Sequence, residues 1–115
     1  MAIYRLYSGG DGDGESHIEE LDLASHPELT SSQATTDITF RQSPPGRFSD
    51  WHTAPRRQYI ITISGRSEIG LGDGTVVHYG PGDARLVEDT TGHGHTTRTV
   101  GNEPVVTVVI PLAGQ

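Results

Sequence analysis

The chain has 115 residues, enough for one domain with one modest hydrophobic core, and we predict a single domain over residues 1–115. Its formal charge is −7, its positive charge comes from arginine alone and it has no lysine, and this acidic balance argues against nucleic acid as a partner. It contains no cysteine, which excludes disulfides, thiolate metal sites and thiol nucleophiles, and which fits a cytoplasmic protein. The N-terminus has no apolar signal segment and no stretch is long enough to cross a membrane, so neither export nor a membrane partner is expected.

The first half of the chain predicts short strands separated by turns. We predict these strands at 3–7, 17–23, 36–42 and 47–52. Each range either alternates apolar and polar residues or has a composition typical of strands. Residues 9–16 form a glycine-rich acidic turn in which Asp11, Asp13 and Glu15 loosely resemble a calcium loop. Ser16 stands where an EF-hand loop needs glycine, so a solvated turn is the preferred interpretation.

The second half is denser in β-branched residues and predicts a continuous series of strands. Residues 58–64 are apolar on both faces, which is typical of a central strand. Asp73-Gly74 between two strands is the strongest hairpin signal in the chain. The predicted strands lie at 58–64, 67–71, 75–79, 84–88, 95–100 and 105–110. With no helical period of useful length, the chain is predicted to be all-β, a sandwich or a small barrel.

One stretch has a motif spacing that resembles the first signature of the cupin superfamily, G-x5-H-x-H-x3-E-x6-G. Its positions are Gly46, His52, Ala54, Gln58 and Gly65, so the spacing is kept throughout. Two ligand types differ from the signature, because Ala54 replaces the second histidine and Gln58 replaces the glutamate.

A second stretch resembles the other cupin signature, G-x5-P-x-G-x2-H-x3-N, less closely. Gly82, His93 and Thr97 stand at the matching spacing, with Glu88 in place of proline. The sequence at 88–95 also resembles a subset of small single-domain cupins whose functional histidine comes two residues later, at His95.

The resemblance implies a double-stranded β-helix, the cupin jelly-roll barrel, with a site inside it. Cupins usually hold a divalent metal there with three histidines and one glutamate, and their activities include dioxygenases, isomerases and lyases. Some cupins bind ligands without catalysis. Small cupins commonly pair, which, together with an apolar outer face at Tyr59, Ile61 and Ile63, leads us to expect a homodimer.

Alternation along the strands gives the candidate residues of the site. If His52 points into the barrel, Gln58, Ile60 and Thr62 share its side. His93 and His95 are two residues apart and would share a face of one strand, which suits a metal such as Zn or Fe. The predicted metal ligands are therefore His52, Gln58, His93 and His95.

Further candidates concern proton transfer and substrate binding. Glu88, if it lies inside the barrel, is a candidate general acid or base together with His52. Arg57 at the barrel mouth could clamp a carboxylate, and Ile60, Thr62 and Leu86 are the predicted lining of a small, partly apolar pocket.

Three functions remain open on the sequence. The first is an enzyme of isomerase, lyase or dioxygenase type that uses Fe, Zn, Mn or Ni on a small carbonyl or carboxylate compound. The second is a metal-free acid–base enzyme, favoured by Ala54 and Gln58 because they remove usual ligands. The third is a non-catalytic module that binds a small ligand.

Overall fold

The structure is a computed structural model that describes residues 1–9 and 14–115. Two antiparallel strands begin the chain, β1 at Ile3–Ser8 and β2 at Ser16–Leu21. Two short 3-10 turns follow at Leu23–Ser25 and Pro27–Leu29. The loop that resembles a calcium site has Asp11 and Asp13 outside the described residues.

Eight more strands complete the fold, and nearly all of them lie where the sequence predicts. They are β3 Thr39–Ser43, β4 Phe48–His52, β5 Gln58–Ser64, β6 Arg66–Gly70, β7 Val76–Tyr79, β8 Ala84–Glu88, β9 His95–Val100 and β10 Val105–Pro111. The bounds of β5, β8 and β9 are those predicted. Within the described residues no helix is long and apolar enough to span a membrane.

The strands form two sheets. The larger has six strands in the order β2-β1-β8-β5-β10-β3, and the smaller has four in the order β4-β9-β6-β7. Every pairing is antiparallel except that of β1 with β8. β5 lies between β8 and β10, which confirms the predicted central strand, and β2 lies at an edge, as predicted. β6 and β7 form the hairpin predicted around Asp73-Gly74.

Side chains on the inner faces of the two sheets form an apolar core cluster and the lining of a cavity. The core cluster comprises Leu6, Ala54, Ile69, Leu71, Tyr79 and Val87. Leu6 and Val87 face each other across β1 and β8, so the N-terminal hairpin supplies part of this core. Other inner positions surround the cavity described next, and they carry polar side chains as well as apolar ones such as Ile60, Val105 and Val109.

Candidate functional site

A cavity of about 210 Å³ lies between the inner faces of the two sheets. The six-stranded sheet contributes alternate residues of β3, β5, β8 and β10, among them Arg41, Gln58, Ile60, Arg85 and Thr107. The four-stranded sheet and its loops contribute Ser49, His52, Ser67, His95 and Thr97, among others. The cavity is thus built from side chains that are distant in sequence and that alternation along each strand turns inward.

A local irregularity brings His52 and His95 together. Ser49 pairs with Thr97 and His52 with His95, with a register shift between the two pairs. Ser49 and His52 are three residues apart and would point to opposite faces of a regular strand, yet both line the cavity. The shift therefore turns His52 inward beside His95, and the two ring centroids are 4.4 Å apart.

Gly94 allows this close approach of the two chain segments. It has a φ of +81°, and a Cβ at this position would collide with the backbone carbonyl of His52. Glycine adopts this conformation without the steric penalty that other residues meet. The residue before His95 is thus required to be small so that the two histidines can be neighbours.

His95 is held by a buried carboxylate. Its Nδ1 lies 2.5 Å from Oδ2 of Asp89, and the hydroxyl of Ser16 donates a hydrogen bond of 2.7 Å to the same oxygen. Asp89 is fully buried and His95 is 5% exposed. A carboxylate partner at Nδ1 makes that nitrogen the donor and leaves Nε2 as the nitrogen that can accept a proton.

His52 is oriented in the same sense by the backbone. Its Nδ1 lies 2.7 Å from the carbonyl oxygen of Asp50, which can only accept a hydrogen bond. Nδ1 therefore carries the proton in the neutral ring, and Nε2 is again the nitrogen with a free lone pair. Two imidazoles with matching tautomers thus stand side by side, one buried and one exposed.

Arg85 is the most unusual lining residue. It is 9% exposed, and its Nη1 has no hydrogen-bond partner among the described residues. Its guanidinium lies over the ring of Tyr79, 5.0 Å from the centroid. Burial lowers the pKa of Arg85 and raises the pKa of Tyr79 to about 12, because both charged forms lose hydration there.

Comparison with known families identifies the fold. Residues 40–111, more than half of the chain, match the family model described as the cupin domain. The chain belongs to the cupin family. Its two sheets are the double-stranded β-helix that the motif spacing predicted, and the strands carrying His52, Gln58 and His95 all lie within the matched residues.

Solved structures with the same fold include proteins of different activities. An uncharacterized conserved protein with a double-stranded β-helix domain from Klebsiella pneumoniae is 26% identical, with a TM-score of 0.54 and coverage of 68% of this chain and 67% of that one. The polyketide cyclase RemF from Streptomyces resistomycificus is 17% identical, with a TM-score of 0.56 and coverage of 89% and 67%. The DMSP lyase DddQ from Ruegeria pomeroyi is 16% identical, with a TM-score of 0.53 and coverage of 66% and 37%.

The cupin therefore matches little more than a third of the lyase and about two thirds of the other two chains. The likeness to the cyclase and the lyase concerns the fold alone. A search among curated proteins found no match.

The metal site of many cupins requires donors that this barrel only partly supplies. The cavity offers two imidazoles and the amide of Gln58, which is 3% exposed, while Ala54 fills the place of the second signature histidine. Within residues 1–9 and 14–115 no group of three His, Cys, Asp or Glu side chains could hold a metal ion. Two imidazoles and one amide do not match the usual set of three histidines and a glutamate.

His93 does not reach the cavity. Its ring stacks on Trp51 outside the barrel, with centroids 4.2 Å apart and planes 19° apart, and its side chain is 49% exposed. The expectation that His93 and His95 share a face assumed a continuous strand. β9 begins only at His95, and Gly92 and Gly94 on either side of His93 have positive φ angles, so alternation does not apply.

Glu88 and Arg57 also lie outside the cavity, where they pair with each other. Arg57 Nε is 2.6 Å from one oxygen of Glu88, and Arg5 Nε is 2.7 Å from the other. The hydrogen bond that Arg5 donates to Glu88 raises the pKa of Arg5. Glu88 is thus the acceptor of two ion pairs on the outer side of β8, and the carboxylate that meets a cavity histidine is the next residue, Asp89.

The predicted lining residues divide in the same way. Ile60 lines the cavity, whereas Thr62 and Leu86 are buried but do not. On β8 the inward side chains are Arg85 and Val87, so Leu86 points to the opposite face.

Sequence reasoning missed Arg85 and the Asp89–Ser16 contact. The signal for Arg85 was its alternation with Val87. Ser16 and Asp89 are 73 positions apart in the sequence, so no local signal predicts their bond.

Proposed function

We propose that this cupin binds a small carbonyl- or carboxylate-bearing molecule inside its barrel and catalyses proton transfer on it, as an isomerase or a lyase does. The observation that carries the proposal is the buried pair of His95 and Asp89 at the cavity wall. A histidine with its distal nitrogen facing a cavity and its proximal N–H held by a carboxylate is equipped for general acid–base catalysis.

The proposed step uses only groups of this chain. Nε2 of His95 takes a proton from the substrate, and the imidazolium that forms is stabilised by the carboxylate of Asp89. The bonding electrons left behind form the double bond of an enol-type intermediate, and the same nitrogen returns the proton at another atom. Nε2 of His52, whose ring is 4.4 Å from that of His95, would accept a hydrogen bond from a hydroxyl group of the substrate and so orient it in the cavity.

The solved neighbours support an enzymatic role in general terms. One is a polyketide cyclase and another is a DMSP lyase, so some proteins with this fold are enzymes. The substrate of neither protein is assigned to this chain.

The experiment measures exchange of carbon-bound hydrogen for deuterium by proton NMR. Wild-type protein in D2O is incubated with a panel of small 2-oxo acids and 1,3-dicarbonyl compounds, and the loss of each C–H signal is followed. We expect accelerated exchange of at least one compound, and a loss of about 10²- to 10⁴-fold in the His95→Gln variant.

The matched control is His78→Gln. His78 is 70% exposed, lies near Glu68 and takes no part in the cavity. This variant should exchange at the wild-type rate. Equal exchange in wild type and His95→Gln, or no acceleration by the wild type across the panel, would remove His95 as the acid–base group.

The divalent metal that the family resemblance implies stays a prediction, and its measurement is independent of the exchange assay. Protein purified without chelator is analysed for Fe, Zn, Mn and Ni, and again after incubation with each metal. Stoichiometric metal that is lost in His52→Ala would establish a metal site and would move the proposed function to the metal-dependent class.

The homodimer also stays a proposal, supported by the outer face of the larger sheet. Phe40 on β3 is next to Val108 on β10, and Val108 is next to Ile61 on β5. Phe40 is 69% exposed and Ile63, on the same side of β5 as Ile61, is 51% exposed. An exposed apolar face of this kind is a common site of self-association.

A further inference from the structure

One guanidinium in the barrel differs from most arginines of this protein. Arg5, Arg56, Arg57 and Arg98 each lie within 4 Å of a carboxylate and are substantially exposed. Arg85 is buried and forms no ion pair with any residue that the structure describes. An unpaired buried cation is costly to folding, so its presence in the cavity wall calls for a partner that residues 1–9 and 14–115 do not supply.

The carboxylate of Asp89 acts on Arg85 electrostatically but does not accept a hydrogen bond from its Nη1. Oδ2 of Asp89 accepts from His95 and Ser16, and its buried Oδ1 has no partner among the described residues. Nη1 of Arg85 remains without any acceptor within the described chain. The position of the guanidinium is nevertheless fixed, because it packs on the ring of Tyr79.

A second buried donor lines the same cavity. Ser67 is 3% exposed, and its hydroxyl has no hydrogen-bond partner among the residues described. It pairs across β6 and β7 with Tyr79, whose buried hydroxyl is also without a partner there. Buried polar atoms without partners are rare in folded proteins and each needs an explanation, such as a bound ligand.

The charge around the cavity has the opposite sign to that of the whole molecule. Arg41 and Arg47 line it together with Arg85, and none of its described lining residues is Asp or Glu. The chain as a whole carries a formal charge of −7. A cavity lined by one sign of charge concentrates ligands of the other sign, so this arrangement favours anions.

We infer that the barrel binds a small oxyanion, which accepts hydrogen bonds from the guanidinium of Arg85 and the hydroxyl of Ser67 while Arg41 and Arg47 attract it at the cavity. A carboxylate and a phosphate are the two chemistries that match a guanidinium in this way. The cavity volume of about 210 Å³ equals the liquid volume of roughly seven waters, which limits the ligand to a small molecule. The inference rests on the proposed function only for the reaction that follows binding.

The experiment is a calorimetric titration with three probes of similar size: malonate, inorganic phosphate and the neutral diamide malonamide. Wild-type protein should bind at least one anion and not malonamide. The Arg85→Met variant should bind that anion about tenfold more weakly or worse, since hydrogen bonds to charged groups contribute about 1.5–3 kcal/mol. Tighter binding of malonate would assign a carboxylate ligand, and tighter binding of phosphate a phosphate ligand.

Two further variants complete the titration. Arg66→Met is the matched control, because Arg66 is an exposed arginine on β6 that does not line the cavity, and it should bind within twofold of wild type. Ser67→Ala leaves Arg85 in place and should weaken the anion several-fold, which tests the site even if Arg85→Met does not fold. Malonamide binding as tightly as malonate, no anion binding at millimolar concentration, or unchanged affinity in both variants would overturn the inference.

The His95→Gln variant separates this inference from the proposed function. It should bind the anion within about threefold of wild type, because His95 is not among the proposed anion donors, while losing hydrogen exchange. Anion binding that depends on Arg85 without any exchange by the wild type would leave the oxyanion site standing and refute the acid–base function. Hydrogen exchange that needs neither an anionic group on the substrate nor Arg85 would support the acid–base function and refute the oxyanion site.

Discussion

The buried carboxylate of Asp89 gives the sharpest single test of the site, through its effect on stability. It is fully buried and one of its oxygens accepts hydrogen bonds from His95 at 2.5 Å and from Ser16 at 2.7 Å. Asp89→Ala removes the acceptor of both bonds and leaves two buried donors without a partner. Breaking a buried pair in this way costs about 3–5 kcal/mol.

The isosteric variant Asp89→Asn should cost less. Its amide oxygen can still accept from both donors, but the bonds lose their ionic character, which lowers each by about 1 kcal/mol. We therefore expect a loss of about 2 kcal/mol for Asp89→Asn. Ser16→Ala removes one bond and leaves the pair of Asp89 with His95, so about 1 kcal/mol is expected there.

The free energy of unfolding from urea titrations, followed by circular dichroism, measures these differences. Asp37→Asn is the control, since Asp37 is 56% exposed and lies 3.6 Å from an exposed arginine. It should cost less than about 1 kcal/mol. A cost of Asp89→Ala no larger than that of Asp37→Asn would show that the carboxylate is not engaged as described, and the reasoning on His95 would fail with it.

Three other predictions follow from the same geometry. Burial raises the pKa of Tyr79 from 10.0 to about 12, so the unfolded chain ionises first and stability should fall between pH 10 and 12 by about 3 kcal/mol from this group; urea titrations of Tyr79→Phe should lack that part of the decline. Gly94→Ala would place a Cβ against the backbone of His52, so it should destabilise the protein by more than about 1 kcal/mol and perturb the ring NMR signals of His52; an unchanged spectrum contradicts the close approach. Phe40→Glu should turn a dimer into a monomer in multi-angle light scattering, whereas a wild-type monomer at micromolar concentration would remove the dimer proposal.

The strands were predictable because this chain marks their ends. β5 is bounded by Pro55 and Gly65, and the turn before β8 contains Pro81 and Gly82, residues that limit or permit particular backbone angles. The bounds of β5 and β8 followed from those residues and from β-branched content alone. The motif spacing around β4 and β5 is sufficient by itself to indicate the family, because it is kept even where two ligand types are replaced.

The site was only partly predictable, because period-two alternation leaves the phase of a strand open. On β8 the usual preference for apolar residues inside placed Leu86 in the cavity, yet the inward residue is the charged Arg85. The rule fails at Arg85, a buried charge whose Nη1 has no hydrogen-bond partner among the described residues. Such positions are where binding sites are expected. His93 was misplaced for a different reason, since glycines with positive φ interrupt the strand before His95.

The hydroxyl of Ser16 lies in β2, outside residues 40–111, although its hydrogen bond partner Asp89 lies inside them. The parallel pairing of β1 with β8 holds this hairpin against the strand that leads into Asp89. A fragment trimmed to the residues shared with the family would keep both cavity histidines but expose the carboxylate behind His95 to water. The boundary of the functional unit in this protein therefore differs from the boundary of family similarity, and relatives with other N-terminal segments would set the same histidine in a different environment.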